Sequence, residues 1–348
     1  MKKIVVSGLA LVFLLGASGA AAGVEKNGID FSRPIKVDDL KIEKKLILSK
    51  EQRALGEKGS KGKPTPPPVT VEGATGVLGT PLALGAKKYA ILVGLSNYAG
   101  TANDLCIDSL KTTANYPNSL CADADAANME LTLKDKYGYN DTNSTIWRFS
   151  DADANFAAIQ SAKDYILANA KAGDEVVFFF SGHSATSNRN LFKNGDRLNV
   201  GLALYNLPYD SREVIWDGYL QNWFGSLATN RIVFIFDTCH AGGLASYLQG
   251  TGREVVMSSA ENQYSYTYYL GGESNMLGEG SFAHFFNVDG MYNGLADGYN
   301  MFAPNGIDGK VAVEEAYSYA KKFVPIDTSN HQIPALNDKF TDDLMLGY

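Results

Sequence analysis

The chain has 348 residues, 45% of them hydrophobic and 11% aromatic, an ordinary globular composition with enough apolar material for a sizeable core. Its formal net charge is −7 and no basic stripe runs along it, which argues against nucleic acid as a partner. That length fits one large α/β domain with additions, or two small domains.

Met1-Lys2-Lys3, an apolar run from Ile4 to Leu15 and small residues through Ala22 read as a signal peptide over residues 1–22, cut after Ala20 or Ala22. The run is too short to span a bilayer comfortably, and no later segment is long and apolar enough to cross one. The mature chain is therefore expected in a periplasm or outside the cell. Export bears on the three cysteines, Cys106, Cys121 and Cys239, because in an oxidising compartment an even number pairs and one is left over. Cys106 and Cys121 bracket a polar stretch, IDSLKTTANYPNSL, so the expected disulfide staples that loop and leaves Cys239 free.

Residues 23–86 do not read as a packed domain. Lys41 to Gly56 has the spacing of an amphipathic helix through Ile42, Leu46, Ile47 and Leu55, Gly59 to Pro68 has linker composition, and Val69 to Ala86 is small and Gly-rich. The segment is a linker between export signal and domain, or a pro-segment covering the site until cut. Arg53, Lys58, Lys61, Lys63, Lys87 and Lys88 offer basic cut sites.

Over 87–348, strands and helices alternate. Tyr89–Gly94 reads as a buried strand, Asp123–Tyr137 as a helix with Ala126, Met129, Leu133 and Tyr137 on one face, and Thr145–Phe149 as a second strand. Ser150 to Asp153 is read as the cap of a helix running to about Ala170. The Glu175–Phe180 strand, a hairpin region over Asn199–Leu207 and a helix within Ile215–Leu227 follow. Ile232–Phe236 is five apolar residues, too few for a helix and right for a strand buried on both faces. Val255–Ala260 and Gln332–Leu336 read as further strands, with a helix over Lys310–Phe323 between them. Such alternation predicts a mostly parallel sheet of about six strands with helices on both faces.

Chemistry gathers at two strand ends. RIVFIFDTCHAGG carries Cys239 just past its strand, and about fifty residues upstream FFFSGH carries His183 in the same position. Open α/β sheets place their sites at the carboxyl ends of strands, so the pattern brings a thiol and its base side by side. A neighbouring imidazole raises the reactive thiolate fraction and protonates the departing amine. No ligand cluster has zinc spacing, and no Gly-rich phosphate loop is present. His284 and His331 are lone histidines, and Asn305 to Glu315 echoes an EF-hand loop without acids at its first and third ligand positions. The tyrosines from Tyr264 to Tyr269 fit a strand or a loop lining a groove.

At these residues the chain resembles the caspase-like cysteine peptidases, in their metacaspase and bacterial orthocaspase branch. YAILVGLSNY, DAANM, FFFSGH and FDTCHAGG carry the likeness; VVMSSAENQYSY and DGKVAVEEAYSYA match more loosely, over roughly Lys87 to Phe340. The resemblance implies the caspase-like fold, a His183–Cys239 dyad, and an oxyanion hole from the backbone N–H groups of Ser184 and Cys239. Ser184 stands where the family usually has glycine, which matters if the backbone there needs positive φ. The resemblance also implies a substrate pocket of Asp125, Ser181 and Asp237, with Asp123 a competitor for the place of Asp125. Two carboxylates there favour Arg or Lys at the cut site. His240 is read as structural. Some metacaspases use calcium through acids in the region of Asp196, Asp210 and Asp217, whose pattern here matches poorly. The expectation is an enzyme without cofactor, calcium being the one metal the resemblance leaves open. The implied protein is an exported, monomeric endopeptidase of polypeptides with a basic residue at the cut, made as a self-processing zymogen. The competing reading is a catalytically inactive caspase-like binding module.

Overall fold

Runs of apolar and β-branched residues five to seven long form fully enclosed strands here, because helices cover both faces of the sheet they build. The computed structural model describes residues 29–47, 74–99, 101–105, 121–192, 198–269, 277–299 and 307–348. Contacts divide the chain into Met1–Arg33 and Pro34–Tyr348, and every element named below lies in the second unit.

In chain order the strands and main helices are β1 (Lys41–Glu43), β2 (Leu46–Ile47), β3 (Lys88–Gly94), α1 (Ala122–Lys136), β4 (Ser144–Ser150), α2 (Phe156–Asn169), β5 (Glu175–Ser181), β6 (Ser184–Ser187), β7 (Asn199–Ala203), β8 (Val214–Trp216), α3 (Asp217–Gly225), β9 (Arg231–Asp237), β10 (Arg253–Met257), β11 (Tyr266–Tyr269), β12 (Leu277–Gly280), α4 (Val313–Asp327) and β13 (Ala335–Asp338). The central sheet runs β13-β10-β9-β5-β3-β4; all pairings are parallel except β10 with β13. Alternate side chains face opposite ways. Ala90, Leu92, Val177, Phe179, Val233 and Ile235 share a cluster with Met129 and Leu133 of α1 and Val313, Ala316 and Ala320 of α4. Phe178 and Phe234, offset by one, meet Phe224 of α3 edge-on with ring centres 5.6 and 5.2 Å away.

Two small sheets flank the carboxyl end of the central one: β1-β6-β7-β8 and β12-β11-β2. The helix expected over Lys41–Gly56 is not there over its described part. Lys41–Glu43 and Leu46–Ile47 are strands, and 48–56 lie outside the described residues. The reason is tertiary: β1 adds to the edge of β6 and β2 to that of β11, and pairing with two open edges overrides the weak helical spacing. The cap of α2 is Asn155, whose side chain accepts the Ala158 N–H at 3.0 Å, while Asp151–Asp153 forms a 3₁₀ turn before it. The Gly59 to Pro68 linker lies outside the described residues. Among the described residues no helix is long and apolar enough to cross a membrane.

Candidate active site

Strands β5 and β9 are neighbours in register, with Phe180 opposite Phe236 and Ser181 opposite Asp237. Both end at the same level, so His183 and Cys239, each two residues beyond, leave the sheet side by side. The pairing extends one bond past the strands, since the Gly182 N–H donates to the Asp237 carbonyl at 3.2 Å.

His183 is held on every side. Its ring stacks on Tyr98 with centres 4.7 Å apart and planes 20° apart, and its backbone N–H donates to the Tyr98 hydroxyl at 2.6 Å. Nε2 lies 2.7 Å from the carbonyl oxygen of Asn103. A carbonyl only accepts, so Nε2 carries the proton and Nδ1 keeps its lone pair for chemistry. In this structure that lone pair accepts the backbone N–H of Lys45 at 2.9 Å. The Cys239 thiol is free and buried, and it accepts the Ser265 N–H at 3.3 Å. Burial drives both groups to neutrality: His183 falls to about 3, and the Cys239 thiol is pushed up to about 12.

Beneath the pair lies an acid-lined pocket. Asp237 accepts the Ser265 hydroxyl at 2.6 Å through Oδ1 and the Ala283 N–H at 3.1 Å through Oδ2. Asp125 accepts the Ser181 hydroxyl and, at 3.1 Å, the N–H of Gly280. Burial raises the Asp125 carboxyl well above its ordinary range, Lys45 opposes that, and Asp237 adds to it. The rival Asp123 faces elsewhere, bonded to the Ser96 hydroxyl. The pocket is occupied by the chain itself. The Lys45 ammonium, its side chain only 2% exposed, sits 3.0 Å from Asp237 Oδ1, 3.9 Å from Asp125 Oδ2 and 3.1 Å from Ser181 Oγ.

Ser184 opens β6 in extended backbone, and it is not among the described residues with positive φ, so no glycine is needed there. His240 does adopt the left-handed conformation, at φ 57°, and its Nδ1 lies 2.6 Å from the Glu261 carbonyl, a turn-holding role. Cys121 is disulfide-bonded, and Cys106 lies outside the described residues. Asp210 is taken up by Arg212 at 2.7 Å and Asp217 by the Val200 and Gly218 N–H groups at 2.9 and 2.7 Å, while Asp196 lies outside the described residues. His284 pairs with Glu279 at 2.8 Å. Among the described residues, the acids close enough to share a cation are Glu254, Glu314 and Asp338, at the start of β10, the start of α4 and the end of β13. β10 runs parallel to β9, which places Glu254 toward the end of the sheet opposite Cys239.

Residues 88–247 match the family model described as the metacaspase, peptidase C14 domain. Over that span the chain is similar to the metacaspase family, which supports a caspase-like domain there. Its six-stranded, mostly parallel sheet with helices is consistent with the caspase-like fold, and the match supports a caspase-like cysteine peptidase with a polypeptide substrate. No curated protein matches the chain. Among solved structures it is similar to protein GSU0716 from Geobacter sulfurreducens, at 14% identity, with 74% of this chain and 95% of that one covered and a TM-score of 0.49.

Sequence reading missed Lys45, Asn103 and Gly280. Tyr98 and Ser265 fall within segments that carry the resemblance but had no role assigned. Only Lys45 left a trace, in the Lys44-Lys45 pair of the segment set aside as linker or pro-segment.

Proposed function

We propose that this protein is an exported cysteine endopeptidase that cuts after Arg or Lys through Cys239 and His183, made in a latent form. The observation that carries the specificity is the Lys45 ammonium between Asp237, Asp125 and Ser181. A pocket that satisfies a buried lysine with two carboxyl groups and a hydroxyl has the charge and depth for a basic side chain, and an acidic one there would add a negative charge beside these acids without a partner.

The mechanism follows from the proton positions. With the cleft open to substrate, His183 Nδ1 takes the Cys239 proton and the thiolate attacks the carbonyl carbon, forming a C–S bond. The oxyanion is received by the backbone N–H groups of Ser184 and Cys239. The intermediate collapses by breaking the C–N bond as the imidazolium gives its proton to the departing amine. Water then attacks the thioester, losing a proton to Nδ1. The C–S bond breaks, the acid product leaves, and the thiol regains its proton. Throughout, Nε2–H stays on the Asn103 carbonyl and keeps the ring from turning.

The signal-like residues 1–22 support export, and the filled cleft supports a latent form. Full-length protein, its Lys45→Ala variant and Cys239→Ala are assayed on fluorogenic peptides ending in Arg, Lys or Asp. Cleavage after Arg and Lys, absent in Cys239→Ala, is expected. Preference for Asp overturns the specificity. An opened variant that labels with no Arg-directed thiol probe and cleaves nothing leaves a binding module in its place.

A further inference from the structure

Cleavage after a pocketed residue fixes the order of three groups. The pocketed side chain belongs to the residue that supplies the carbonyl, that carbonyl faces the thiol, and the nitrogen of the next residue faces the imidazole that will protonate it. The resident segment breaks this order. The nitrogen 2.9 Å from His183 Nδ1 is Lys45's own, so the bond shown to the imidazole is Lys44–Lys45. Lys44, on the carbonyl side of that bond, is exposed, with its ammonium on the Ala102 carbonyl at 2.7 Å. The pocket is filled instead by Lys45, from the amine side. The Lys45–Leu46 bond, which a cut after Lys45 requires, has its N–H donated to the Ser265 carbonyl at 2.8 Å.

Strand direction gives the same answer. Leu46 and Ile47 pair parallel to Tyr266 and Thr267 of β11, after Lys41–Glu43 have paired antiparallel to β6. Turning a chain end for end about the pocketed residue exchanges its two flanking peptide bonds. The productive direction is therefore antiparallel to β11, along the edge β2 now covers. The segment is also fastened away from the dyad: Glu43 is buried, accepting from the Thr186 hydroxyl at 3.0 Å and the Tyr264 hydroxyl at 3.4 Å.

We infer that Lys41–Ile47 is a built-in inhibitor seated with its chain direction reversed, so that Lys45 fills the substrate pocket and its N–H occupies His183 without either flanking bond being placed for cleavage. The inference rests on the peptidase reading of the same cleft and adds the regulation of that cleft. The enzyme is switched on by lifting this segment off the edges of β6 and β11, not by cutting it at Lys45 while it is seated. Its substrates bind as a strand antiparallel to β11.

The alternative, that Lys45 is an activation cut site, predicts the opposite sign for one substitution. Full-length wild type, Lys45→Ala and Lys45→Arg are compared by hydrolysis of an Arg-ending peptide, by iodoacetamide labelling of Cys239, and by mass mapping of the Lys44–Leu46 bonds. Removing the ammonium should raise hydrolysis and labelling by about tenfold or more, as the open population grows. Lys45→Arg should stay closed, and both bonds should stay intact in latent wild type. Hydrolysis lower in Lys45→Ala than in wild type overturns the inference, and so does a wild-type N-terminus at Leu46 that Cys239→Ala lacks. Faster labelling of Lys45→Ala without hydrolysis of any peptide upholds the inhibitor and removes the peptidase reading. If Lys45→Ala does not fold, Lys45→Gln keeps the stem without the charge and carries the same expectations.

Discussion

Gly280 sets the width of the acid pocket by having no side chain. A Cβ there would collide with the Asp237 carboxylate and the Lys45 ammonium, while its N–H is spent on Asp125. Gly280→Ala should fold and yet lose kcat/KM on Arg and Lys peptides by about a hundredfold or more, in a background opened at Lys45. Asp237→Asn in that background should lose a similar factor, since removing one partner of a buried, hydrogen-bonded charge pair costs about 3–5 kcal/mol. Peptide kinetics beside a thermal melt check both; a Gly280→Ala enzyme with unchanged kinetics would mean that basic side chains do not reach this depth. The contrast shows which residues a sequence can reveal. His183, Ser181, Asp237 and Cys239 sit within two residues of the ends of two strongly apolar strands, so a local pattern points at them. Gly280, Asn103 and Lys45 reach the same cleft from distant loops and short strands, and nothing in their own neighbourhoods marks the destination.

At the scale of elements the same division holds. β3, β5 and β9 are each seven buried residues long and read directly as strands; α4 ends four residues later than its apolar spacing suggested. β1 and β2 have three and two residues, too short for a strand alternation of their own, and exist because two sheet edges are open to them. The acids joining β10, α4 and β13 have no motif either, yet they carry a pH dependence. Burial raises Glu254 well above the usual range, with Glu314 adding to it, and burial lifts Glu314 from its ordinary 4.5 to about 8. Glu314 accepts the Leu344 N–H at 2.9 Å, whereas neither Glu254 oxygen has a conventional partner, so the two carboxyls are best served by a shared proton. The folded state then holds protons that the unfolded chain releases above about 4.5. Stability conferred in acid is therefore lost as pH rises from there through about 8. Urea unfolding across this range should show the wild type weakening toward alkaline pH and Glu254→Gln weakening less, by about 1 kcal/mol or more. Parallel profiles would mean that the cluster is neutralised some other way.

Taken whole, the molecule is closed at both ends of its sheet, by different means. At the amino end the Arg231 guanidinium ties Glu175 at 2.6 Å to the Thr80 and Met345 carbonyls at 2.8 and 2.6 Å. At the carboxyl end the closure is Lys41–Ile47, and burial holds His183 and Cys239 beneath it neutral. With the thiol near 12 and the imidazole near 3, no pH between them gives the closed protein a thiolate–imidazolium pair. On the proposed reading latency is electrostatic as well as steric, since the same covering that would block substrate removes the solvent that would stabilise the reactive charges. The sign is definite: a thiol raised by burial ionises only as pH climbs toward 12, so iodoacetamide labelling of Cys239 in the full chain should stay slow through neutrality and rise only in strong alkali. In Lys45→Ala the cleft admits water, and the labelling midpoint should move down toward neutral pH, where a thiol beside an imidazole normally exchanges its proton. A wild-type profile already centred near neutrality would mean that the segment does not seal the sulfur. A variant profile left in the alkaline range would place the desolvating wall elsewhere in the fold, with Ser265 and Tyr98, the residues touching the dyad from the other side, next in line for substitution.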